Sequence, residues 1–351
     1  MPATSDRKNS RILVAMSGGV DSSVCAKLLK EDGYDVQCAV FVFSDASVGC
    51  VDAARSACAT LSLPLEVVDI RALFHEQVVL PFCETYCAGM TPNPCVICNP
   101  RVKFRTLCET ADRLDCPQIA TGHYARVKRI DGTAILQKAV SAARDQSYML
   151  YSLLPEQLSR LVLPLGELEK PVVREIARDA ELDCADAPDS QEICFIPDGD
   201  YPGFIHALGM RGRQGRFLAP DGSAVGPHKG VEFYTIGQRR GLGIALGKPV
   251  FVQRILKNGD IQLAYAGEEY AKTLLIDHLV VNPLYSGRLD GHFEIKIRSA
   301  AKPCGCTVKQ LSDTSARIDF DQPARAPAPG QAAVLYENDL LIAGGVIREC
   351  F

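Results

Sequence analysis

The apolar residues of the first 130 positions form strand-like runs that alternate with stretches of helical spacing. The strand-like runs are "RILVAM" (11–16), "DVQCAVFVF" (35–43), "PLEVVDI" (64–70) and "QIATGHYARV" (118–127), and the helical stretches between them include "VCAKLLKEDGY" (24–34), "DAARSACATLSL" (52–63) and residues 101–114. Short, nearly continuous apolar runs are typical of strands buried on both faces, so we predict an α/β domain with a parallel sheet. Ligands of such sheets bind at the carboxyl ends of the strands.

Helical patterns continue to about residue 185, and from about residue 205 short alternating segments separated by Gly and Pro take over. These segments are "VEFYTIG" (231–237), "PVFVQRILKNGDIQLAYAG" (249–267), "HFEIKIRSA" (292–300), "CTVKQLSDTSARIDFD" (306–321) and "QAAVLYENDLLIAGGVIREC" (331–350). They predict strands at hairpin spacing. We therefore predict three domains: a catalytic α/β domain over 1–204, a small, mostly β central domain over 205–275, and a C-terminal β-barrel over 276–351.

The composition is that of an ordinary globular protein, with 47% hydrophobic and 23% charged residues among 351. No apolar run approaches the ~20 residues that span a bilayer, and the first ten residues read as a tail without a secretory core. We therefore expect a cytoplasmic protein with no membrane association. The 15 cysteines are then expected to be reduced thiols, of which Cys25, Cys38, Cys58 and Cys108 are predicted to be core residues.

Positive charge is concentrated in one part of a chain whose net charge is −4. Residues 205–257 contain nine Lys or Arg against two acids, a local charge of +7. Such a concentration is typical of a surface that binds a polyanion, and Arg239 and Arg240 lie at its centre. A solvated loop region is the other interpretation, and charge alone does not decide between them.

The stretch "AMSGGVDSS" (15–23) joins the first predicted strand to its helix. Gly18 and Gly19 allow a sharp bend close to an anion, and the serines and the helix N-terminus add donors and partial positive charge. These are the parts of a pyrophosphate cradle, although the stretch is neither a Walker A loop nor GxGxxG. Asp21 is unusual so close to phosphates unless Mg²⁺ lies between them. The alternative is a glycine turn in which Asp and Ser cap the helix.

Cys95 and Cys98 form a CxxC pair directly after the turn-rich "GMTPNP" (89–94). Such a pair in an intracellular enzyme can be a zinc site, a redox pair, part of an iron–sulfur site, or a nucleophile with a neighbour. Together with Cys83 and Cys87 it would supply four ligands for a structural zinc ion. The pair alone leaves these alternatives open.

The SGGxDSS stretch resembles the PP-loop of the ATP pyrophosphatase superfamily, whose members cleave ATP between the α and β phosphates and adenylate a substrate oxygen. Five further stretches make the chain similar to one branch, the tRNA-uridine 2-thiolases, which sulfurate carbon 2 of the wobble uridine. They are "GMTPNPCVICNPRVKF" (89–104), "ATGHYAR" (120–126), "RDQSYML" (144–150), "DSQEICFIPDGDY" (189–201) and "HKGVEFYTIGQRRGLGI" (228–244).

The resemblance implies roles for the matching positions. The implied ATP-binding residues are Ala15, Met16, Ser17, Gly18, Gly19, Val20, Asp21 and Ser22 in the loop, Phe41 beside the adenine, where the family often has Met, and Gly122 closing that pocket. The implied tRNA contacts are His123, Arg144, Asp145 and Gln146, with Arg298 and Gln331 in the β domain touching the anticodon arm. Arg239 and Arg240 join this tRNA surface through the basic stretch.

The resemblance also assigns the thiol chemistry. ATP, used with Mg²⁺, makes AMP the leaving group on the uracil carbon. Cys194 then carries sulfur as a persulfide received from a donor protein of a cysteine desulfurase relay, and Cys98 acts as the nucleophile that resolves the linkage as a disulfide or attacks the base first. Better-known members carry Asp where this chain has Cys95. Cys95, Cys98 and Cys194 are therefore a three-thiolate set for a 4Fe–4S cluster with one open iron, which is a hypothesis beside the persulfide route.

Two other function classes remain in view. One is a PP-loop enzyme that acts on a small metabolite, and the other is a zinc-stabilised RNA-binding module without turnover. The β-rich C-terminal third and the basic stretch favour the tRNA enzyme. Nothing in the sequence indicates an obligate oligomer, so we expect a monomer.

Overall fold

The computed structural model describes residues 10–188, 193–196 and 198–351, so the predicted leading tail and part of the 189–201 motif lie outside the described residues. In chain order the elements up to residue 207 are β1 (Arg11–Met16), α1 (Val20–Glu31), β2 (Asp35–Val42), α2 (Val48–Thr60), β3 (Leu65–Asp69), α3 (Arg71–Phe74), α4 (Leu80–Cys87), α5 (Pro94–Cys98), α6 (Phe104–Arg113), β4 (Gln118–Thr121), β5 (Arg126–Ile130), β6 (Thr133–Gln137), α7 (Pro155–Arg160), β7 (Leu161–Val162), α8 (Lys170–Asp179) and α9 (Tyr201–Ala207). Two π-helical turns, His75–Val79 and Asn99–Lys103, join α3 to α4 and α5 to α6.

The first sheet is parallel, with the strand order β3-β2-β1-β4-β7, which confirms the predicted α/β domain. Its central strand is buried on both faces. Leu13 packs into a core with Phe74 and Phe82, whereas Ile12 and Val14 pack into a second core with helix α1. The strand order reverses between β1 and β4, and the crevice at their carboxyl ends is where ligands of such sheets bind.

The buried cysteines follow the prediction with one exception. Cys25, Cys38 and Cys58 are buried in the core beside α1, β2 and α2. Cys108 on α6 is only half-buried and lies on the wall of a cavity of about 1150 Å³ that separates helices α5 to α7 from the C-terminal strands. Three of the four therefore serve as small apolar core residues.

The prediction of one strand over 118–127 is wrong. The stretch divides into β4, which belongs to the parallel sheet, and β5, which pairs with β6 as a hairpin and reaches the C-terminal sheet through Gln137 and Leu340. The backbone leaves the sheet at Gly122, where a Cβ atom would lie 2.7 Å from the backbone of Asp21 and Ser22. From Gly122 onward the backbone therefore packs closely against the start of α1 and no longer pairs with β1.

The C-terminal half is built almost entirely of strands. They are β8 (Arg216–Leu218), β9 (Ala224–Pro227), β10 (Val250–Ile255), β11 (Ile261–Tyr265), β12 (Tyr270–Val281), β13 (Gly291–Lys296), β14 (Cys304–Ser312), β15 (Ser315–Arg325), β16 (Ala332–Glu337) and β17 (Leu340–Cys350). The first four form a small sheet in the order β10-β11-β8-β9. The order β12-β15-β14-β13-β16-β17, with β12 also paired to β17, closes a six-stranded barrel as predicted. The predicted domain boundaries stay predictions. Strand β12 runs across the predicted boundary between residues 275 and 276.

The expected strand "VEFYTIG" is instead a 3₁₀ turn over Val231–Phe233 followed by a loop. Val231 and Glu232 are both buried, although they are consecutive. A strand would send them to opposite faces. The turn lets Val231 join the apolar core while the Glu232 carboxylate contacts His206 Nε2 at 2.8 Å.

The barrel is docked on the segment that leads into α5. The Thr91 N–H donates to Pro329 O at 2.8 Å, and Gln331 Nε2 donates to Thr91 O and Pro92 O at 3.1 and 3.2 Å. Farther along, Tyr148 Oη donates to Ala332 O at 2.9 Å. These bonds connect the barrel directly to the residues that precede the CxxC pair. Among the described residues, no helix is long and apolar enough to cross a membrane.

Replacing Gly344 by Ala should weaken this docking, because a Cβ atom there would lie 2.4 Å from the Tyr151 ring. Overpacking of this kind destabilises by about 1–3 kcal/mol, so we expect a lower midpoint of thermal unfolding. Gly226→Ala is the matched strand control, since nothing lies within 4 Å of the added Cβ. Equal midpoints for the two variants would show that Gly344 is not required for packing.

Candidate active site

The loop between β1 and α1 has the conformation expected of a phosphate cradle. Gly18 has φ +74°, and a Cβ atom there would lie 2.6 Å from Ala53 Cβ and 2.9 Å from Cys50 O, so only glycine fits. The first helical N–H groups, from Val20 onward, have no intrahelical carbonyl partner. With the helix dipole behind them, they point into the crevice at the carboxyl edge of the sheet, where an anion is favoured.

The serine hydroxyls stabilise the loop itself. Ser22 Oγ donates to Gly19 O at 3.0 Å and accepts the Ser17 N–H at 3.1 Å. Ser23 is fully buried, and its hydroxyl also donates to Gly19 O at 3.0 Å. Ser22 and Ser23 therefore hold the turn in shape, and the backbone, rather than these two hydroxyls, is left to contact phosphate.

Asp21 is held by two residues from distant parts of the chain. Lys170 Nζ donates to both carboxylate oxygens, at 2.7 and 2.8 Å, and Tyr124 Oη donates to Oδ1 at 2.8 Å. The Asp21 carboxylate is therefore already paired with a cation in this structure, and a role beside Mg²⁺ stays a prediction. Lys170 and Tyr124 were missed by the sequence analysis, because only the fold brings them to the loop.

Phe41 lies near the end of β2 and is only 4% exposed. A series of edge-to-face aromatic pairs runs from it through Phe43 and Phe74 to Phe195, with ring centroids 6.3, 5.2 and 5.4 Å apart. Such pairs favour a fixed mutual geometry. The series therefore anchors the Cys194 segment to the carboxyl end of β2, on the side predicted to hold adenine.

Cys98 is placed by an interrupted helix. Pro94 occupies the start of α5, where its missing N–H costs nothing, and Pro100 lies in the π-helical turn that follows Cys98. Asn99 Nδ2 donates to Met149 O at 2.7 Å and fixes that turn. The π-helical turn changes the direction in which neighbouring side chains project, a feature frequent at functional sites.

The Cys98 thiol is 8% exposed, and burial raises its pKa to about 12. Lys103 opposes this effect and lowers the pKa, through both its ammonium group and its backbone N–H. The Cys194 pKa is also raised, first by desolvation of its thiol and then by Cys95, and Lys103 again lowers it. Lys103 is thus the one cation that favours thiolate at both predicted catalytic cysteines among the described residues.

Three further observations connect these thiols to one another and to the loop. Cys194 and Cys95 each raise the pKa of Cys98, so the three thiols share one electrostatic environment. Cys50 raises the pKa of Cys194, and the Cys50 carbonyl packs against Gly18. Cys50 and Lys103 were both missed by sequence reasoning, although Lys103 lies within the quoted "NPRVKF".

The described residues contain no group of three or more His, Cys, Asp or Glu side chains that could hold a metal ion. The four-cysteine zinc alternative is therefore not supported, and Cys83 is instead buried in the apolar core. Cys95, Cys98 and Cys194 are near one another without being arranged as a cluster site. Their use as separate thiols and their use as ligands of one iron–sulfur cluster both stay predictions.

His123 follows β4 at the edge of this site. Its Nδ1 is 2.7 Å from Thr121 Oγ1, and its ring faces Phe104 with centroids 6.0 Å apart. Burial, together with the charge of Lys103, lowers the pKa of His123 to about 3. The imidazole is therefore neutral at physiological pH and can serve as a hydrogen-bonding group but not as a cation.

The predicted tRNA residues are in contrasting environments. Arg144, Arg239 and Arg240 are exposed, as a phosphate contact requires. Asp145 accepts bonds from Ala139, Ser147 and the Ser147 hydroxyl, and Gln146 Oε1 accepts the Tyr124 N–H at 2.9 Å. Arg298 Nη2 donates to Ala326 O at 2.6 Å, and Gln331 contacts Thr91 and Pro92 as described above. These last four side chains have structural partners, and their contacts with tRNA stay predictions.

Together, the fold and the site define a protein of the PP-loop class, in which a nucleotide-binding α/β domain is combined with a pair of thiols and a C-terminal barrel. The comparisons agree with this class. Residues 10–198 match the family described as tRNA methyl transferase HUP domain, residues 204–262 the tRNA methyl transferase PRC-barrel domain, and residues 274–347 the aminomethyltransferase beta-barrel domain.

Several similar proteins are named tRNA-specific 2-thiouridylase MnmA. Those of Clostridioides difficile and Carboxydothermus hydrogenoformans are 38% and 41% identical to this chain, and each alignment covers 97% of the chain and 99% and 98% of the relative. The protein of Salinibacter ruber is 42% identical over 97% of this chain and 95% of its own length. The chain belongs to the tRNA-specific 2-thiouridylase family.

Replacing Lys103 by Met should raise the pKa of both Cys98 and Cys194, because the substitution removes the cation that lowers them. The thiolate fraction at pH 8 then falls, and we expect alkylation of Cys194 by iodoacetamide to slow by about threefold or more. Peptide mass spectrometry measures the rate at each cysteine. Lys128→Met on β5 is the control, and equal rates in the two variants would contradict the role of Lys103.

Proposed function

We propose that the protein is an ATP-dependent tRNA-uridine 2-sulfurtransferase that thiolates carbon 2 of the wobble uridine. One observation supports this most strongly: Cys98 and Cys194 share the cation Lys103, and Cys194 interacts with Cys50, whose carbonyl packs against Gly18 of the loop. The names of the relatives support the same reaction.

The first step is activation of the base by ATP, which enters with its Mg²⁺ as substrate. Uridine O2 attacks the α-phosphorus, the bond from the α-phosphorus to the bridging oxygen breaks, and pyrophosphate leaves. The loop's backbone N–H groups and the start of α1 are suited to hold the phosphates in place. His123, neutral and 2.7 Å from Thr121, is suited to orient the base by hydrogen bonding.

The second step transfers sulfur. The terminal sulfur of a Cys194 persulfide attacks carbon 2, and AMP leaves with its oxygen. The Cys98 thiolate then attacks Cys194 Sγ, the sulfur–sulfur bond to the base breaks, and a Cys98–Cys194 disulfide forms, which a cellular thiol reductant must return to two thiols. Burial favours the protonated Cys98 thiol, and Lys103 acts against burial by favouring its thiolate.

The partners follow from the chemistry and the charge distribution. A donor protein of a cysteine desulfurase relay would load Cys194, which lies at an exposed position, and the monomer supplies all the site residues named here. The anticodon arm of tRNA would be anchored on the basic stretch and on Arg144, while the uridine is unstacked and enters the crevice. An enzyme acting on a small metabolite would not need this surface.

Cys98→Ser and Cys194→Ser should each lower thiolation of tRNA by about 100-fold or more while AMP formation with tRNA persists, because only the sulfur step needs a thiol. Mass spectrometry of tRNA nucleosides and AMP release measure the two steps. Cys304→Ser in the barrel is the matched control and should retain activity. If the wild-type protein forms no AMP with tRNA, the non-catalytic RNA-binding alternative is favoured.

The same preparations decide between persulfide and cluster. Protein purified without oxygen is assayed for iron and acid-labile sulfide and compared with Cys95→Ser. Under the persulfide step given above, we expect active protein without iron. About four irons per chain that are lost in Cys95→Ser would establish the cluster route and overturn the persulfide step.

Arg239→Glu and Arg240→Glu should weaken tRNA binding and reduce its dependence on salt, because each substitution removes a phosphate contact and adds a repulsive charge. We expect the slope of log affinity against log salt to fall by about one per position. Arg113→Glu is the control, since α6 ends at the amino edge of the sheet, away from the site. An unchanged slope in the two test variants would remove the basic stretch from the tRNA surface.

A further inference from the structure

Asp21 occupies a position that combines two opposed electrostatic effects. It lies in the first turn of α1, where a carboxylate interacts favourably with the helix dipole. The same negative charge stands where the phosphates of a nucleotide would approach, and it cancels the attraction of the helix N-terminus for an anion. An unneutralised Asp21 would therefore stabilise the helix and weaken the cradle.

Lys170 is placed where its charge is unfavourable for its own helix. It is the first residue of α8, and a cation at a helix N-terminus opposes the dipole. It is also 6% exposed, so the ammonium group has lost most of its hydration. Neither effect favours a lysine at this position. The pair of short bonds to Asp21, 149 residues away in sequence, offsets these effects.

Two neighbours fix the geometry of this pair. Tyr124 Oη donates to Asp21 Oδ1 at 2.8 Å, and Lys170 Nζ lies 5.8 Å from the centre of the Tyr124 ring. Gly122, two residues before Tyr124, approaches the Asp21 backbone so closely that no side chain fits. Elements β4 and α8 therefore meet on the first turn of α1.

We propose that Lys170 is a positioning residue of the ATP site, which neutralises Asp21 and clamps the first turn of α1 in its phosphate-binding position. This inference rests on the proposed use of ATP and adds a residue outside the PP-loop to the machinery. Lys170 acts through Asp21. The alternative, direct contact between its ammonium group and a phosphate, gives a different result in the experiment below.

The test is equilibrium binding of Mg-ATP to the full chain without tRNA, measured by calorimetry, with adenosine as a probe that lacks phosphate. Lys170→Met should weaken ATP binding by about tenfold or more and change adenosine binding by less than about twofold, because the exposed charge of Asp21 repels only phosphates. The double variant Asp21→Asn with Lys170→Met should regain ATP affinity to within about threefold of wild type. Lys170→Arg, which keeps the charge, should lose less than Lys170→Met.

The control is Arg178→Met, two turns further along α8, where an exposed arginine is paired with Asp186 at 2.7 Å. It should leave ATP binding unchanged. Thermal unfolding of every variant shows whether each is folded, and the double variant remains informative if Lys170→Met is not.

Three outcomes would overturn the inference. ATP affinity unchanged in Lys170→Met would show that Asp21 needs no neutralisation. A double variant as weak as Lys170→Met would show direct phosphate contact by the lysine. Equal losses of ATP and adenosine would show a general structural role. A wild-type protein that binds ATP in this way but does not thiolate tRNA would contradict the proposed function while leaving the inference intact.

Discussion

The site depends on the way the first turn of α1 is held at the carboxyl edge of the parallel sheet. Gly122 of the β4 end lies against its backbone, and Lys170 and Tyr124 bind the Asp21 carboxylate. A helix N-terminus attracts anions only while its own N–H groups stay unengaged and no net negative charge lies beside it. The segment after β4 and the start of α8 hold and neutralise Asp21, so the anion site depends on parts of the domain that are distant in sequence.

The thiol half of the site balances two opposing effects. Burial of Cys98 and partial desolvation of the Cys194 sulfur, in a residue that is exposed as a whole, favour neutral thiols, whereas Lys103 favours the thiolates. A protonated thiol is inert, and this protects it from adventitious oxidation; the thiolate is the nucleophile. The arrangement suits cysteines that must react only when a substrate is bound. The CxxC pattern by itself does not predict the environment of its two thiols. Cys95 is exposed, whereas Cys98, three residues later, is buried.

The C-terminal barrel contacts the segment that precedes Cys98. Pro329 and Gln331, in the loop before β16, bond to residues 91–92, which lead directly into α5 and Cys98. Asp145 and Gln146 similarly hold loops that border the site. Gln331, which the family resemblance assigns to tRNA contact, therefore also links the barrel to the segment that precedes Cys98.

The sequence by itself determined the parallel sheet, the barrel and the phosphate loop, because each depends on local periodicity or on glycines whose effect is confined to neighbouring residues. Motifs in contiguous stretches also predict Cys98 and Cys194 as the catalytic pair, through the family resemblance. Only the tertiary structure decided what Asp21 contacts, that 118–127 divides between two sheets, and that Lys103 serves both thiols. Those features join residues up to 149 positions apart, or depend on burial, and no local pattern encodes them.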